Sequence, residues 1–494
     1  MTHFRDSKLA TLLRLLAADE WRKFQLWLDS PWANTNKHLQ VLGRLLEKEA
    51  PDFEAARCEK KALFSKLFPR KEYDNRIMNN LLTEMSRQVE RFLVHHKLNQ
   101  DPQAADEELR KELLERQHPV LFEEITLRLI QQMEAKTVLS AAEHLQLALW
   151  YRELYFQPHE HLRYRREALA LEKADLHLDA FYALRKSQIL HENRDRNNIL
   201  KLDGLVQVEP QLLDHLYSKL SLPALQLYQK RLSRPADWGW SDFVDFREHF
   251  FQVFDALPRD LQRDFLFFCL NDATVLMTRG EAGARSEIFQ LYRLGLQERL
   301  VVEKEQMTLI TFNNVILIAS HLGEKEYIAQ FIPQYYQMLR PDLQEEALLW
   351  AKGQLAYVNG QFDTCIEMLR DHRFADEILS IQARVTLLKA NLDLVLVDSS
   401  HFDRFLSYCH AFEKYLQRNK VHSKERTQSY IRWIQYTRKL AELSHQQQAS
   451  VSNLSNVLVQ IQGEGNLFGK PWLEQAVNRL LPGSNKTERG NRSV

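Results

Sequence analysis

The stretch 462–472, QGEGNLFGKPW, is the part of the sequence that comes nearest to a phosphate-binding loop. Such a loop has the pattern GxxxxGK followed by Ser or Thr, and it lies between a strand and a helix so that its backbone N–H groups surround the phosphates. Here Gly465 and Gly469 are one residue too close together, and Pro471 replaces the hydroxyl residue. We therefore predict a loop before a terminal helix, with Pro471 in its first turn and Trp472 packed on preceding helices.

The histidines and the other reactive side chains do not predict a catalytic or metal site. His95 and His96 are neighbours in a helical pattern, so their side chains point about 100° apart. His159 and His161 flank Glu160 without the HExxH spacing that places two imidazoles on one helical face. Neither a GxSxG elbow nor a cysteine-protease pattern occurs. We expect no catalytic residue, no metal and no cofactor, and a protein that is not an enzyme.

The segment 60–97 has the charge and the outline of a nucleic-acid-binding hairpin. It carries nine basic against four acidic residues, and its pattern predicts a short helix, a turn at Pro69 and a longer helix. Several side chains of the longer helix lie off its apolar stripe and have the chemistry to contact phosphates or base edges. They are Arg76, Asn79, Asn80, Thr83 and Arg87. The turn is longer than the usual three or four residues, so a structural hairpin is the preferred interpretation and nucleic-acid binding the alternative.

A second basic stretch, HLRYRREALALEKADLHL, places Arg163, Arg165 and Arg166 around Tyr164. The preferred interpretation is a basic helix face, because long aliphatic stems cover apolar neighbours while the charged ends remain in water. The functional alternative is a ligand surface for an acidic peptide.

The composition restricts the elements that can position these residues. Glycine and proline each account for 14 of 494 residues, well below the usual share of about 7% and 5%. Sandwiches, barrels and doubly wound sheets need many turns that use these two residues. Hydrophobic residues at 45% and charged residues at 27% are sufficient for a folded chain. The composition therefore predicts an all-α protein.

Charge and cysteine usage indicate the environment of the protein. Lys+Arg and Asp+Glu both number 66, so no long-range field attracts the whole molecule to nucleic acid or membrane. The four cysteines form no CxxC pair, which predicts buried free thiols in a reducing compartment. The first ten residues lack the apolar run of a signal peptide, and the apolar stretch 306–323 contains Asn313, Asn314 and His321, which favours a buried helix over a membrane span. We expect a cytoplasmic protein without membrane contact.

Period-3.6 patterns run along the chain, and no convincing alternating run appears. Residues 1–100 are predicted to form a helical N-terminal module, whose longest helix is capped by Asp74 or Asn75 and reaches about His96. Its apolar stripe repeats at helical spacing. The stripe consists of Ile77, Leu81, Leu82, Met85, Val89, Phe92 and Leu93. The stretch NQDPQAAD, 99–106, is then predicted to be a linker.

The stretch LLWAKGQLAYVNGQFDTCIEML has the pattern of a tetratricopeptide-like unit, in which two antiparallel helices meet at a tight turn. Gly360 is the predicted turn, Gly353 and Cys365 allow the helices to approach, and Phe362 fills the space beneath them. A second candidate turn, Gly323, lies 37 residues upstream, near the roughly 34-residue period of such repeats. The sequence therefore predicts a helical repeat array.

Four blocks of the sequence carry a family resemblance. The blocks are SPWANTNKHLQVLGRLL, KKALFSKLFPRKEYDNRIMNNLLTEMSRQVERFL, HLDAFYALRKSQILHENRDRN and FEKYLQRN. Their types and order resemble an uncharacterised family of all-helical, tetratricopeptide-like proteins associated with Bacteroidetes, over most of the chain. The resemblance implies a helical solenoid with a small N-terminal module and a cytoplasmic origin. It implies no activity, ligand or catalytic residue.

These observations predict three segments: a helical module with a helix-turn-helix-like hairpin at 1–100, a tetratricopeptide-like array at 101–482 and a disordered tail at 483–494. Because stacked helix pairs leave a long curved surface, we expect a non-enzymatic scaffold or adaptor that binds a protein or peptide. A nucleic-acid-binding regulator that uses residues 60–97 is the first alternative. An enzyme whose site is assembled from distant residues is the second.

Overall fold

The computed structural model describes residues 4–53, 55–156, 160–200, 210–235, 237–418, 424–465 and 467–481, with the side chains of 55, 160–168, 197–200 and 210–212 outside the description. Within these ranges the chain forms 24 α-helices and no β-strand, so the predicted all-α class is confirmed. The predicted tail, 483–494, lies outside the described residues.

Two compact units divide the chain, Met1–Ala183 and Leu184–Val494. The helices of the first unit, of which the last continues into the second unit, are α1 Lys8–Leu13, α2 Ala18–Asp29, α3 Lys37–Glu47, α4 Ala55–Cys58, α5 Lys60–Leu67, α6 Asn75–Gln100, α7 Pro102–Glu115, α8 Pro119–Glu134, α9 Ala141–Tyr155 and α10 Glu160–Leu200. The further helices of the second unit are α11 Pro210–Lys219, α12 Pro223–Leu232, α13 Trp240–Val253, α14 Arg259–Thr278, α15 Ala284–Gln297, α16 Leu309–Leu322, α17 Lys325–Tyr335, α18 Gln344–Val358, α19 Phe362–Leu369, α20 Glu377–Val397, α21 Phe402–Arg418, α22 Lys424–His445, α23 Val451–Gly463 and α24 Lys470–Leu480.

The residues around α6 explain where this long helix begins and ends. Asp74 is its N-cap, because the Asp74 carboxylate accepts hydrogen bonds from the backbone N–H groups of Arg76 and Ile77. At the other end Asp101 closes α6 and also caps α7, which begins at Pro102. The predicted linker at 99–106 is therefore wrong. A proline favours turns, but it is equally well placed in the first turn of a helix. Backbone N–H groups have no intrahelical acceptor there, so the N–H that proline lacks costs no hydrogen bond.

One hydrophobic core lies within residues 4–93 and includes most of the predicted α6 stripe. Leu81, Met85, Val89 and Phe92 are buried in it, and Ile77, Leu82 and Leu93 pack against it while partly exposed. Met78 and Gln88, which the pattern did not include, are also buried. A second cluster of the first unit joins α8 and α9. The domain boundary predicted at residue 100 remains a prediction.

The helices of residues 309–480 follow a regular order of contacts. α16 packs on α17 and α18, α18 packs on α19 and α20, and α20 packs on α21 and α22. α22 in turn packs on α24. The helices α16, α18 and α20 thus each contact the two helices that follow them in the chain.

The chain reverses between α18 and α19 at Gly360, which has φ +75°. A Cβ atom on Gly353 would lie 2.7 Å from Leu369, so the two helices approach too closely there for any larger residue. Gly323, with φ +76°, ends α16 in the same left-handed conformation. Glycine adopts this conformation without the steric cost that a Cβ imposes.

The predicted buried helix at 306–323 is α16, and Phe312, Val315 and Ile316 within it are fully buried. The helices that the structure describes are all too short or too polar to cross a membrane. The four cysteines are buried and carry free thiols, as predicted.

Candidate functional site

A polar face on the buried helix α20 is the starting point of the candidate site. Gln382, Thr386, Lys389 and Asp393 follow one another at intervals of four, three and four residues, which places them on one side of the helix. The last three of these residues are buried. Thr386 Oγ1 donates a hydrogen bond of 2.8 Å to Gln354 Oε1, so this polar face continues onto α18.

Asp393 is held by residues from α18 and α24. Tyr357 Oη donates to Asp393 Oδ2 over 3.0 Å, and Arg479 Nη1 lies 2.9 Å from Asp393 Oδ1. Trp472 Nε1 donates to Tyr357 Oη over 3.1 Å, which docks the terminal helix as the sequence predicted. Burial raises the pKa of Asp393, and the Arg479 charge opposes this shift. Each carboxylate oxygen of Asp393 therefore has one partner.

Lys389 is the unusual member of this group. It is 8% exposed, and its ammonium lies 5.3 Å from the centre of a Trp472 ring. It makes no hydrogen bond or ion pair with any residue in the described part of the chain. Desolvation lowers the pKa of Lys389 to about 8, although the Asp393 carboxylate acts in the opposite direction. We call Tyr357, Lys389, Asp393, Trp472 and Arg479 the Lys389 cluster.

His321, on α16, lies close enough to feel the charge of Lys389. Desolvation lowers the pKa of His321 to about 3, and the positive charges of Lys389 and Arg285 contribute to the shift. His321 is nevertheless an exposed residue. The imidazole is therefore neutral at pH 7 and lies on the surface near Lys389.

The residues predicted to pack the helix pair lie together in the second unit. Cys365 is buried and Phe362 is half-buried in one small core, which also contains Ala356 and Leu369. Gly353 and Gly360 have the close approach and the positive φ described above.

The predicted nucleic-acid residues lie on the hairpin of α5 and α6. Arg76, Asn80, Thr83 and Arg87 are exposed and form one stripe, at intervals of four, three and four residues. Asn79 is half-buried beside the stripe, where its side-chain oxygen accepts a 2.6 Å hydrogen bond from Lys60. Arg87 also forms a 3.4 Å ion pair with Glu84 of its own helix. The structure therefore leaves four of the five side chains accessible.

The other predicted basic surface cannot be placed in the same way. Arg163, Arg165 and Arg166 belong to α10, but their side chains lie outside the described residues.

The first unit has an apolar recess that no sequence pattern indicated. A pocket of about 520 Å³ lies between the loop after α2 and the C-terminal half of α6, and Trp27, Trp32, Val94 and Leu98 contribute to its walls. Trp32 is 95% exposed. The one sequence signal for this exposure is that Trp32 falls in the loop between two predicted helices.

A buried histidine pair lies between α9 and α10 of the first unit. His144 Nδ1 and His177 Nδ1 are 2.9 Å apart, so one of these nitrogens carries a proton and donates a hydrogen bond to the other. Desolvation lowers the pKa of His144 to about 4. Among the residues that the structure describes, no group of three or more His, Cys, Asp or Glu side chains is placed to hold a metal ion.

Comparison of the chain with models of protein families, with curated proteins and with solved structures gave no match. The family resemblance inferred from the sequence blocks therefore remains a prediction.

Proposed function

We propose that this protein is a non-enzymatic adaptor that binds a protein or peptide segment along the inner face of a helical array built from residues 309–480. The observation that carries this proposal is the order of helix contacts, in which α16, α18 and α20 each pack on the next helix of the same series. Stacks of helix pairs have this order, because each pair buries its apolar face only against its neighbours. The 37-residue interval between Gly323 and Gly360 supports the same arrangement.

The surface available to a partner is the side of α16 and α18 that the array leaves uncovered. On α16 it comprises the exposed residues Ile310, Asn314 and His321, at intervals of four and seven. On α18 it comprises Glu345 and Lys352, with the half-buried Leu348 between them. We call these residues the inner stripe. The stripe combines apolar, neutral polar and charged side chains, which suits a segment that supplies both apolar contacts and hydrogen bonds.

Site-specific photo-cross-linking tests this proposal. Asn314 and Lys352 are replaced, one at a time, by a photoreactive phenylalanine in the full chain, and the protein is irradiated in the cells that produce it. We expect the same adduct of higher mass from both positions, because both lie on the inner stripe.

Matched controls are Gln330 on α17 and Glu367 on α19, which are exposed but belong to the other series of helices. Adducts at these positions in equal yield, or no adduct at Asn314 and Lys352, would show that the inner stripe is not the binding surface. Identification of the adduct by mass spectrometry then names the partner.

A second candidate function is nucleic-acid binding by α6, and the exposed stripe of Arg76, Asn80, Thr83 and Arg87 supports it. The test is fluorescence anisotropy with a labelled DNA duplex between 50 and 300 mM salt. We expect affinity to fall as salt rises, and the double variant Arg76→Ala/Arg87→Ala to reduce the slope of log K against log[salt] by about 1.8, since each phosphate contact contributes about 0.9. The control is Arg116→Ala, an exposed arginine that directly follows α7. Binding that does not depend on salt, or equal slopes for both variants, contradicts this function.

A further inference from the structure

We propose that the Lys389 cluster binds a small oxyanion, a carboxylate or a phosphate group, with the Lys389 ammonium as one arm of the site. This inference concerns a small-molecule site and stands apart from the partner-binding proposal above.

The first argument is the missing hydrogen-bond acceptor of Lys389. The Lys389 nitrogen keeps some contact with solvent, since it is not among the fully buried atoms that lack a partner. An ammonium group nevertheless has three N–H donors and no acceptor, and a partial loss of its hydration without a protein partner is costly. The Trp472 ring at 5.3 Å offers a cation–π contact, which compensates only part of this loss. Asp393, the one carboxylate whose charge acts on Lys389 among the described residues, already binds Tyr357 and Arg479 through both of its oxygens. An acceptor from outside the described chain would complete the site.

The second argument is the sign of the local charge. Lys389 and Arg285 act on His321, Lys389 and Arg479 act on Asp393, and these three positive charges face the single negative charge of Asp393. This excess repels a metal cation and attracts an anion. His321 is neutral there and can donate one N–H, whichever ring nitrogen carries the proton.

The third argument is access. His321 is exposed, and the side chain of Arg479 is 44% exposed although one of its nitrogens binds the buried Asp393. A guanidinium has five N–H donors, so Arg479 keeps donors for a second acceptor on its solvent side. Charge-assisted hydrogen bonds from an ammonium and a guanidinium are the usual means by which proteins hold carboxylate and phosphate groups.

The test measures the thermal unfolding midpoint of the full chain in sodium chloride, sodium phosphate and sodium succinate at equal ionic strength. For the wild type we expect a rise on the order of 3 °C in phosphate, in succinate or in both, at about ten times the dissociation constant. For Lys389→Met we expect no such rise. The midpoint of this variant in chloride should equal or exceed that of the wild type, because an apolar side chain of similar length replaces an unpaired charge.

The matched control is Lys325→Met, an exposed lysine of α17 that lies outside the inner stripe, which should keep the wild-type response. A lysine that served only to stabilise Asp393 would give the opposite result in chloride, a lower midpoint for Lys389→Met. A response to phosphate alone identifies a phosphate site, and a response to succinate alone identifies a carboxylate site.

A second measurement needs no variant. The wild type is treated with a limiting amount of acetic anhydride at pH 8, and the acetylation of each lysine is followed by mass spectrometry. We expect the effective anion to slow the reaction of Lys389 about fivefold or more, because occupancy near 90% leaves one tenth of the sites free. The reaction of the exposed Lys325 should stay unchanged. The proposal is wrong if neither anion stabilises the wild type or protects Lys389, or if Lys389→Met responds as the wild type does.

Discussion

Replacement of Arg231 by methionine is expected to lower the free energy of unfolding by about 3–5 kcal/mol, because it removes one partner of a buried ion-pair network. Arg231 is 4% exposed and connects α12 to α10 and α14. Its Nη2 lies 2.7 Å from Asp195 Oδ1 and 2.7 Å from Asp272 Oδ1, and its Nε donates to Asp272 Oδ2 over 3.1 Å. Without the guanidinium, two buried carboxylates lose their shared positive charge.

The groups that remain around the network do not replace Arg231. Arg234 Nη1 lies 2.6 Å from Asp272 Oδ2, so Asp272 keeps one cation. Asp195 keeps only the 3.1 Å hydrogen bond from the Asn271 amide among the contacts described for it. His191 offers no compensating charge, because desolvation holds its pKa well below the usual value and the charges of Arg194 and Arg234, which remain in the variant, act in the same direction.

Urea denaturation followed by circular dichroism at 222 nm measures this loss. The control is Arg263→Met, whose 2.6 Å ion pair with Glu303 joins side chains that are 41% and 63% exposed. An exposed pair of this kind contributes less than about 1 kcal/mol, so the control should change stability little. A further variant, Arg231→Met/Asp195→Asn, should recover part of the loss, because it neutralises the carboxylate that has lost its cation and leaves Asp272 paired with Arg234. Equal losses for Arg231→Met and Arg263→Met would contradict the expectation.

The second large effect is expected at Gly353, where α18 and α19 meet. A Cβ on this residue would lie 2.7 Å from both Cγ and Cδ1 of Leu369, and Leu369 is buried and cannot move freely. Insertion of a methyl group into a packed interior typically costs about 1–3 kcal/mol. We therefore expect Gly353→Ala to lower stability by about 1–3 kcal/mol, although alanine is the better helix former.

A double-mutant cycle separates this clash from other effects. Leu369→Ala alone should cost about 2–5 kcal/mol through the cavity that it leaves. Because it also removes the atoms that collide with the new Cβ, Gly353→Ala should cost little or nothing in its presence, a coupling of about 1–3 kcal/mol. The control is Gly463→Ala at the end of α23, where nothing lies within 4 Å of a new Cβ and stability should stay equal or rise. If the changes in unfolding free energy of the two single variants simply add in the double variant, the clash is not the explanation.

Features with local physical causes could be predicted from the sequence. The spacing of Gly353 and Gly360 indicated a close approach and a left-handed turn, because only glycine suits either condition well. Asp74 was a predicted cap because its side chain bonds backbone groups two and three residues away. The linker prediction at 99–106 failed for a related reason, since the same proline suits a turn and a helix start.

The contacts of the candidate site could not be predicted from a sequence pattern, because they join residues that are far apart in the chain. Asp393 meets Tyr357 across 36 residues, and Arg231 meets Asp272 across 41. Period analysis shows only that Lys389 interrupts an apolar run, and it does not show which side chains surround the ammonium. The exposure of Trp32 is equally non-local, because it depends on what covers the loop in the folded chain.

The hydrogen bond from Trp472 to Tyr357 joins residues 115 apart, and this distance has a consequence for biosynthesis. A ribosome that adds about 5–20 residues per second makes Trp472 roughly 6–23 s after Tyr357. From the synthesis of Asp393 until that of Arg479, the nascent chain carries Asp393 without the arginine that neutralises it and α20 without the helix that shields its polar face. The helix α24 therefore completes the charge balance of helices that are translated long before it.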